Sequence, residues 1–234
     1  MTTPRASSSG RFPNAVIVSL LAETPLHPGT GQSTGIVDLP VQRERYTGFP
    51  VIPATSIKGS LRERAERPPS QGGWGKRDDR VLDLFGPEAG DGANLHGGAL
   101  GFTDARLLAF PVRSLHSVFA WVTCPLVLAR FSRDLHRAGY PASGIGASPV
   151  HQGRARSPDG DPGTIVLEDL SFEALGDAQW QAQVNLLARL FPVQEAYRTY
   201  REKFVRDLLL ISDVDFQYLV RHATQVTARI SLND

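Results

Sequence analysis

Ile36–Arg62 reads IVDLPVQRERYTGFPVIPATSIKGSLR, and its three prolines decide how the chain enters its first helix. Pro40 has no N–H for a helix interior and pushes Leu39 away from the α region, so Ile36–Arg45 is extended. Pro50 and Pro53 keep the chain extended as far as Thr55 or Ser56. Either residue can cap a helix running from about Ile57 to Glu66. The preceding stretch, LHPGTGQSTG at Leu26–Gly35, is dense in Gly, Pro, Ser and Thr and reads as loop.

The same block concentrates chemistry. His27, Asp38, Arg43, Arg45, Ser56, Lys58 and Arg62 all fall on loop, extended chain or the start of a helix. Gly29 and Gly31 let a polyanion approach the backbone. Arg43, Arg45 and Lys58 can hold phosphates, and Ser56 near a helix N-terminus adds donors for an anion. A lone carboxylate among such cations has two readings. Asp38 is a salt-bridge partner, or a loop carboxylate that positions a metal or accepts a proton from a sugar hydroxyl.

Upstream, Ala15–Leu21 (AVIVSLL) is a β-branched and aliphatic run that predicts a central first strand. Met1–Asn14 is small and polar, with no apolar stretch, and is expected to be a disordered lead. Downstream, Pro68–Asp79 is Gly-rich and expected to be a mobile excursion. Val81–Gly86 reads as a helical turn and Glu88–Gly98 as soft loop. Strand-like stretches follow at Ala99–Val112 and Ser117–Thr123, then a helix at Leu126–Ala138 stopped by Gly139. Tyr140–Gly163 is rich in Gly, Pro and Ser and reads as an insertion. A strand is expected at Thr164–Leu170, helices at Ala178–Leu190, Gln194–Leu208 and Val214–His222, and a strand at Gln225–Leu232. Strands and helices mix without regular βα alternation, which predicts an α+β fold. The organisation expected is one domain over residues 15–234, with insertions near 68–98 and 140–163.

Composition narrows the function. Of 234 residues, 41% are hydrophobic and 21% charged, which suits a packed domain. No apolar run reaches the roughly 18 residues needed to cross a bilayer, so no membrane partner is expected. A single cysteine, Cys124, cannot form an internal disulfide and fits a buried thiol in a reducing cytoplasm, the expected location. Phosphate-binding and dinucleotide-binding glycine motifs are absent, and the six histidines show no zinc-type spacing. Net charge is only +1, yet residues 104–156 hold seven Arg and two Asp, while residues 157–195 hold seven acidic residues and one Arg. A basic stretch can meet phosphates and an acidic one a neighbour's basic surface; solvated faces are the plainer reading. Trp74, in GGWGKRDD, reads either as a base-stacking residue or as a local loop anchor.

The run IVDLPVQRERYTGFPVIPATSIKGSLR closely resembles the RAMP-superfamily backbone subunit of the type III-B CRISPR effector, the fourth subunit of the Cmr assembly. LHPGTG, LFGP at Leu84–Pro87, GALGFTDARLLAFPVRS at Gly98–Ser114, FAWVTCPLVL at Phe119–Leu128 and the terminal RHATQVTARISLND fit the same family. The type III-A backbone subunit shares the Asp loop and the helix motif, but the contiguous QRERYTGFP points to type III-B.

The resemblance implies a modified ferredoxin-like core, similar to an RNA-recognition motif, with inserted loops and a thumb hairpin. It implies copies stacked in a filament along the crRNA with other Cmr subunits, each cutting the paired target RNA. On this basis Asp38 matches the cleavage residue and His27 a neighbouring target-facing position. Arg43, Arg45, Ser56, Lys58 and Arg62 fall in the segment lining the guide. A divalent ion, magnesium or manganese, is expected to assist cleavage, with no recognisable motif to hold it. A non-catalytic guide-binding subunit is the alternative. The family's chain normally continues beyond the QVTARISLND strand, so the C-terminal part of the core is expected to be missing from these 234 residues.

Overall fold

The computed structural model describes residues 14–29, 40–88, 96–146, 149–158 and 163–225. Asp38, and the strand expected at Gln225–Leu232 beyond its first residue, lie outside them. The chain clusters into two compact units. One comprises Met1–Glu23, Arg45–Phe49 and Leu107–Asp234; the other comprises Thr24–Glu44 and Pro50–Arg106.

The second unit holds strand β1 (Val51–Ile52), helix α1 (Ala54–Glu66), helix α2 (Asp79–Phe85) and strand β2 (Ala105–Arg106), which pairs antiparallel with β1. Helix α1 starts earlier than the sequence suggests, and neither Thr55 nor Ser56 caps it. Pro53 occupies the cap position without a side-chain hydrogen bond. The carboxylate of Asp104, the residue just before β2, accepts the Ala54 N–H at 2.8 Å instead. Pro68–Gly75 is not the loose excursion expected. It forms a 3-10 turn at Pro69–Gln71 and returns to α1, where the Trp74 N–H donates to the Ala65 carbonyl at 2.7 Å. The return needs Gly73, because a Cβ there would lie 2.0 Å from the Arg67 carbonyl oxygen. The half-exposed Trp74 ring is covered by Arg80, 4.7 Å from its centroid, and Asp78 holds that guanidinium through two hydrogen bonds. Val81 and Phe85 bury the inner face of α2, with Phe85 stacked on Phe102.

The first unit is built on six further strands. They are β3 (Phe110–Ser114), β4 (Val118–Thr123), β5 (Arg154–Ser157), β6 (Gly163–Leu167), β7 (Leu170–Gly176) and β8 (Leu208–Ile211). They close into a barrel in the order β3-β4-β8-β5-β7-β6, with the seam between β3 and β6 made at Ser114 and Leu167. Strand β8 runs parallel to β4 and antiparallel to β5. Its four residues, LLLI, are buried on both faces, and a short continuous apolar run carries no periodicity to distinguish it from a helix end. Strands β5 and β7 likewise occupy stretches the sequence leaves as insertion or linker.

Four helices complete this unit: α3 (Pro125–Arg137), α4 (Ala178–Leu187), α5 (Arg198–Asp207) and α6 (Asp213–His222). Their positions match the expected helices closely. Alternation along the strands separates two cores. Val112, Val122, Phe172 and Ile211 pack with Phe49 and with Phe216, Leu219 and Val220 of α6. On the opposite face Trp121, Leu208 and Leu210 pack with Trp180 and Val184 of α4 and Phe204 of α5. The Trp180 indole N–H donates to the Leu208 carbonyl at 2.9 Å, tying α4 to the central strand.

Ala15–Leu21 departs from its expected role. It is extended, but it joins no strand ladder among the described residues, and Val16, Val18 and Leu20 are 72%, 72% and 59% exposed. Its described tether is polar: Ser19 donates its hydroxyl to the Leu190 carbonyl at 2.8 Å. No described helix is long and apolar enough to cross a membrane.

Candidate functional site

The described residues on either side of 30–39, the stretch that includes Asp38, pair through their backbones. Gly29 and Val41 form an antiparallel bridge, and the Gln42 N–H donates to the Pro28 carbonyl at 2.7 Å. The pairing continues as Arg43 opposite Pro50, with the Val51 N–H donating to the Gln42 carbonyl at 3.0 Å. A ladder therefore runs from Gly29 and Val41 into β1 and on to the entry of α1. Pro40 and Pro50 restrict the backbone along it, as the sequence predicts.

His27 sits next to this pairing, half-buried, with its ring over the Gly29 backbone; a Cβ on Gly29 would come within 3.2 Å of the imidazole Cε1. Arg43 is half-buried on the ladder itself. Ser56 is exposed in the first turn of α1 and Lys58 is half-buried two residues further on. Arg62 is differently placed. Its guanidinium donates to the Glu66 carboxylate at 2.6 Å and to the Gly86 carbonyl at 2.8 Å, and only 18% of the side chain is exposed. These donors brace α1 against the end of α2. The expected anion site at the N-terminus of α1 is also partly filled, since the Asp104 carboxylate takes its first N–H.

Arg45 belongs to the first unit, where it is exposed and opens the turn Arg45–Thr47. Beside it is Tyr46, which the sequence reading did not single out and which is 80% exposed. Its phenol oxygen accepts a hydrogen bond from Arg130 of α3 at 3.0 Å. The signal available in sequence was an aromatic residue placed directly after a cation in a turn. Among the described residues, no three His, Cys, Asp or Glu side chains group to hold a metal ion. The described residues therefore do not build a protein-held metal centre.

One unit is a closed six-stranded barrel with helices, and the other is a small α+β unit, so the described fold is of the mixed α+β class. The family comparison agrees: the model of the RAMP superfamily matches residues 19–234, and the chain belongs to that superfamily. Within it the chain is a homologue of the fourth Cmr subunit of type III-B systems. It is 34% identical over 222 residues to the CRISPR system Cmr endoribonuclease Cmr4 of Pyrococcus furiosus, covering 94% of this chain and 72% of that one. The crystal structure of oligomeric Cmr4 from Pyrococcus furiosus superposes with a TM-score of 0.67 at 32% identity, covering 87% of this chain and 71% of that one. The cryo-EM structure of the type III-B Cmr-beta bound to cognate target RNA shares the fold, with a TM-score of 0.56 at 20% identity over 84% of this chain and 65% of that one. The RAMP identity and the α+β class expected from the motifs are thus borne out.

Proposed function

We propose that this chain is a crRNA-binding backbone subunit of a type III-B CRISPR complex and cleaves the paired target RNA with Asp38. The observation that supports the reading is the backbone ladder of Pro28–Gly29 with Val41–Gln42, which flanks the segment containing Asp38 and has His27 next to it. The 34% identical relative is named an endoribonuclease, and a crystal structure of Cmr4 from the same organism is described as oligomeric, which supports RNA cleavage and self-assembly here. Guide–target pairing would supply sequence specificity while the protein holds the guide by its backbone and shape, a division of labour known in guided nucleases.

Cleavage then follows from RNA's own chemistry. Asp38 takes the proton of a target 2′-hydroxyl, and that oxygen attacks the adjacent phosphorus. The bond from phosphorus to the 5′-oxygen breaks, leaving a 2′,3′-cyclic phosphate on one fragment. His27 gives a proton to the departing 5′-oxygen. DNA lacks the attacking hydroxyl and would resist. Arg43, Arg45, Ser56 and Lys58 contact the guide, while Arg62 supports α1 from within. A divalent ion, magnesium or manganese, would offset the charge that develops on the phosphate. The active species is the assembled, guide-loaded complex containing further copies of the chain and other Cmr subunits; the isolated chain is inactive.

The test is target cleavage by the complex reconstituted with Asp38→Ala. Guide binding should be unchanged and periodic cleavage should fall by roughly a hundredfold or more, the usual contribution of a general base. Intact periodic cleavage would make the subunit a structural guide binder instead.

A further inference from the structure

The turn RYTGF, Arg45–Phe49, sets a cation and an aromatic ring side by side and then fixes them in place. Gly48 has φ +72°, and the Arg221 guanidinium of α6 fills the space a Cβ would need, with Nη2 at 2.5 Å and Nε at 2.6 Å from that position. The Thr47 carbonyl accepts from the Gln217 side chain of α6 at 2.6 Å. Phe49 is buried and meets Phe216 edge-on, with ring centroids 5.0 Å apart. Thr47, Gly48 and Phe49 are thus buried and clamped, while Arg45 and Tyr46 are exposed.

Tyr46 is the most exposed aromatic among the large hydrophobic residues described, yet it is not left loose. Arg130 donates to its hydroxyl, and the same guanidinium lies 5.7 Å from the Tyr46 ring centroid and 5.9 Å from that of Phe49. A lone exposed tyrosine needs no explanation. Holding one by hydroxyl and ring, on a turn clamped by a second helix, removes in advance the side-chain entropy that binding would otherwise cost.

We propose that the Arg45–Thr47 turn is a preorganised platform for single-stranded RNA, on which Tyr46 stacks one base and Arg45 meets an adjoining phosphate. Arg130 is its positioning residue. The assignment rests on the RNA-binding reading above and adds a base-contacting residue to a segment where that reading supplies only phosphate contacts. Base–aromatic stacking tolerates any sequence, since every base has a π-face. That suits a subunit that must accept guides of any spacer sequence.

The test is fluorescence anisotropy with the full chain and a fluorescein-labelled oligo(A) RNA at several salt concentrations. Tyr46→Leu should weaken binding about 5- to 150-fold, the range expected for one lost stack. Its salt dependence should stay as in the wild type, because no cation is removed. Tyr46→Phe should bind within about twofold to threefold of the wild type, since the ring face is kept. Arg45→Gln should instead reduce the slope of log K against log salt by about 0.7, one single-strand phosphate contact. A Tyr46→Leu chain that binds like the wild type overturns the platform. So does one whose loss of binding tracks a lower melting temperature, which would make Tyr46 structural. A wild-type chain that fails to bind RNA at any salt removes the RNA-binding reading itself, and the platform with it.

Discussion

The Asp104 carboxylate accepts the Ala54 N–H at 2.8 Å and so starts helix α1 from a point fifty positions along the chain. Helix ends leave backbone N–H groups unpaired, and a side-chain oxygen that takes one contributes about 1 kcal/mol. The helix that carries Ser56 and Lys58 therefore depends on a residue beyond α2 in the sequence. Asp104→Ala should lower stability by roughly 0.5–2 kcal/mol, while Asp104→Asn, which retains an acceptor, should recover most of it. Urea unfolding of the two variants measures both.

Gly48 makes a second prediction. Its φ of +72° disfavours any L side chain, and the Arg221 guanidinium occupies the Cβ position as well. Gly48→Ala should destabilise by about 1–2 kcal/mol from the left-handed backbone alone, with the steric clash adding to it. Pairing it with Arg221→Ala should relieve the clash and leave the backbone part. A double-mutant cycle in denaturant separates the two.

Asp177 sets a pH dependence. Burial pushes its carboxyl upward, but hydrogen bonds from the Trp180 N–H, the Arg156 guanidinium and the Gln179 N–H outweigh burial and hold it below the usual aspartate range. A folded-state pKa below the unfolded value means the carboxylate stabilises the fold above the unfolded pKa, near 3.9. That contribution is lost as pH falls through the lower folded value. The stability difference between wild type and Asp177→Asn should be constant from neutral pH down to about 5 and shrink below about 4. Thermal melts across that range give the curve.

Cys124 is fully buried at the start of α3, and burial, the largest influence on it, pushes its thiol well above the ordinary range. The thiolate is the reactive form. Native protein at pH 8 should resist alkylation by iodoacetamide, and denatured protein should be alkylated fully; mass spectrometry distinguishes them.

Much of this protein was readable in its sequence because the relevant physics is local. Prolines 40, 50 and 53 impose extended chain whatever surrounds them, and the helical spacing of Leu126–Ala138 anticipates α3 to within a residue at each end. The dense run of motifs from the histidine loop through α1 points to the RAMP superfamily, to which the chain belongs. Partner choice was not readable. Nothing in spacing says that Asp104 would cap α1, that Arg62 would spend its donors on Glu66 and Gly86, or that Arg130 would hold Tyr46. LLLI at Leu208–Ile211 is only an apolar run until β4 and β5 flank it, and AVIVSLL has strand chemistry but no described ladder to join. A backbone preference belongs to a few neighbouring residues and is written where they stand. A hydrogen-bond partner or a buried face belongs to residues far apart in the chain, and only the tertiary fold brings them together.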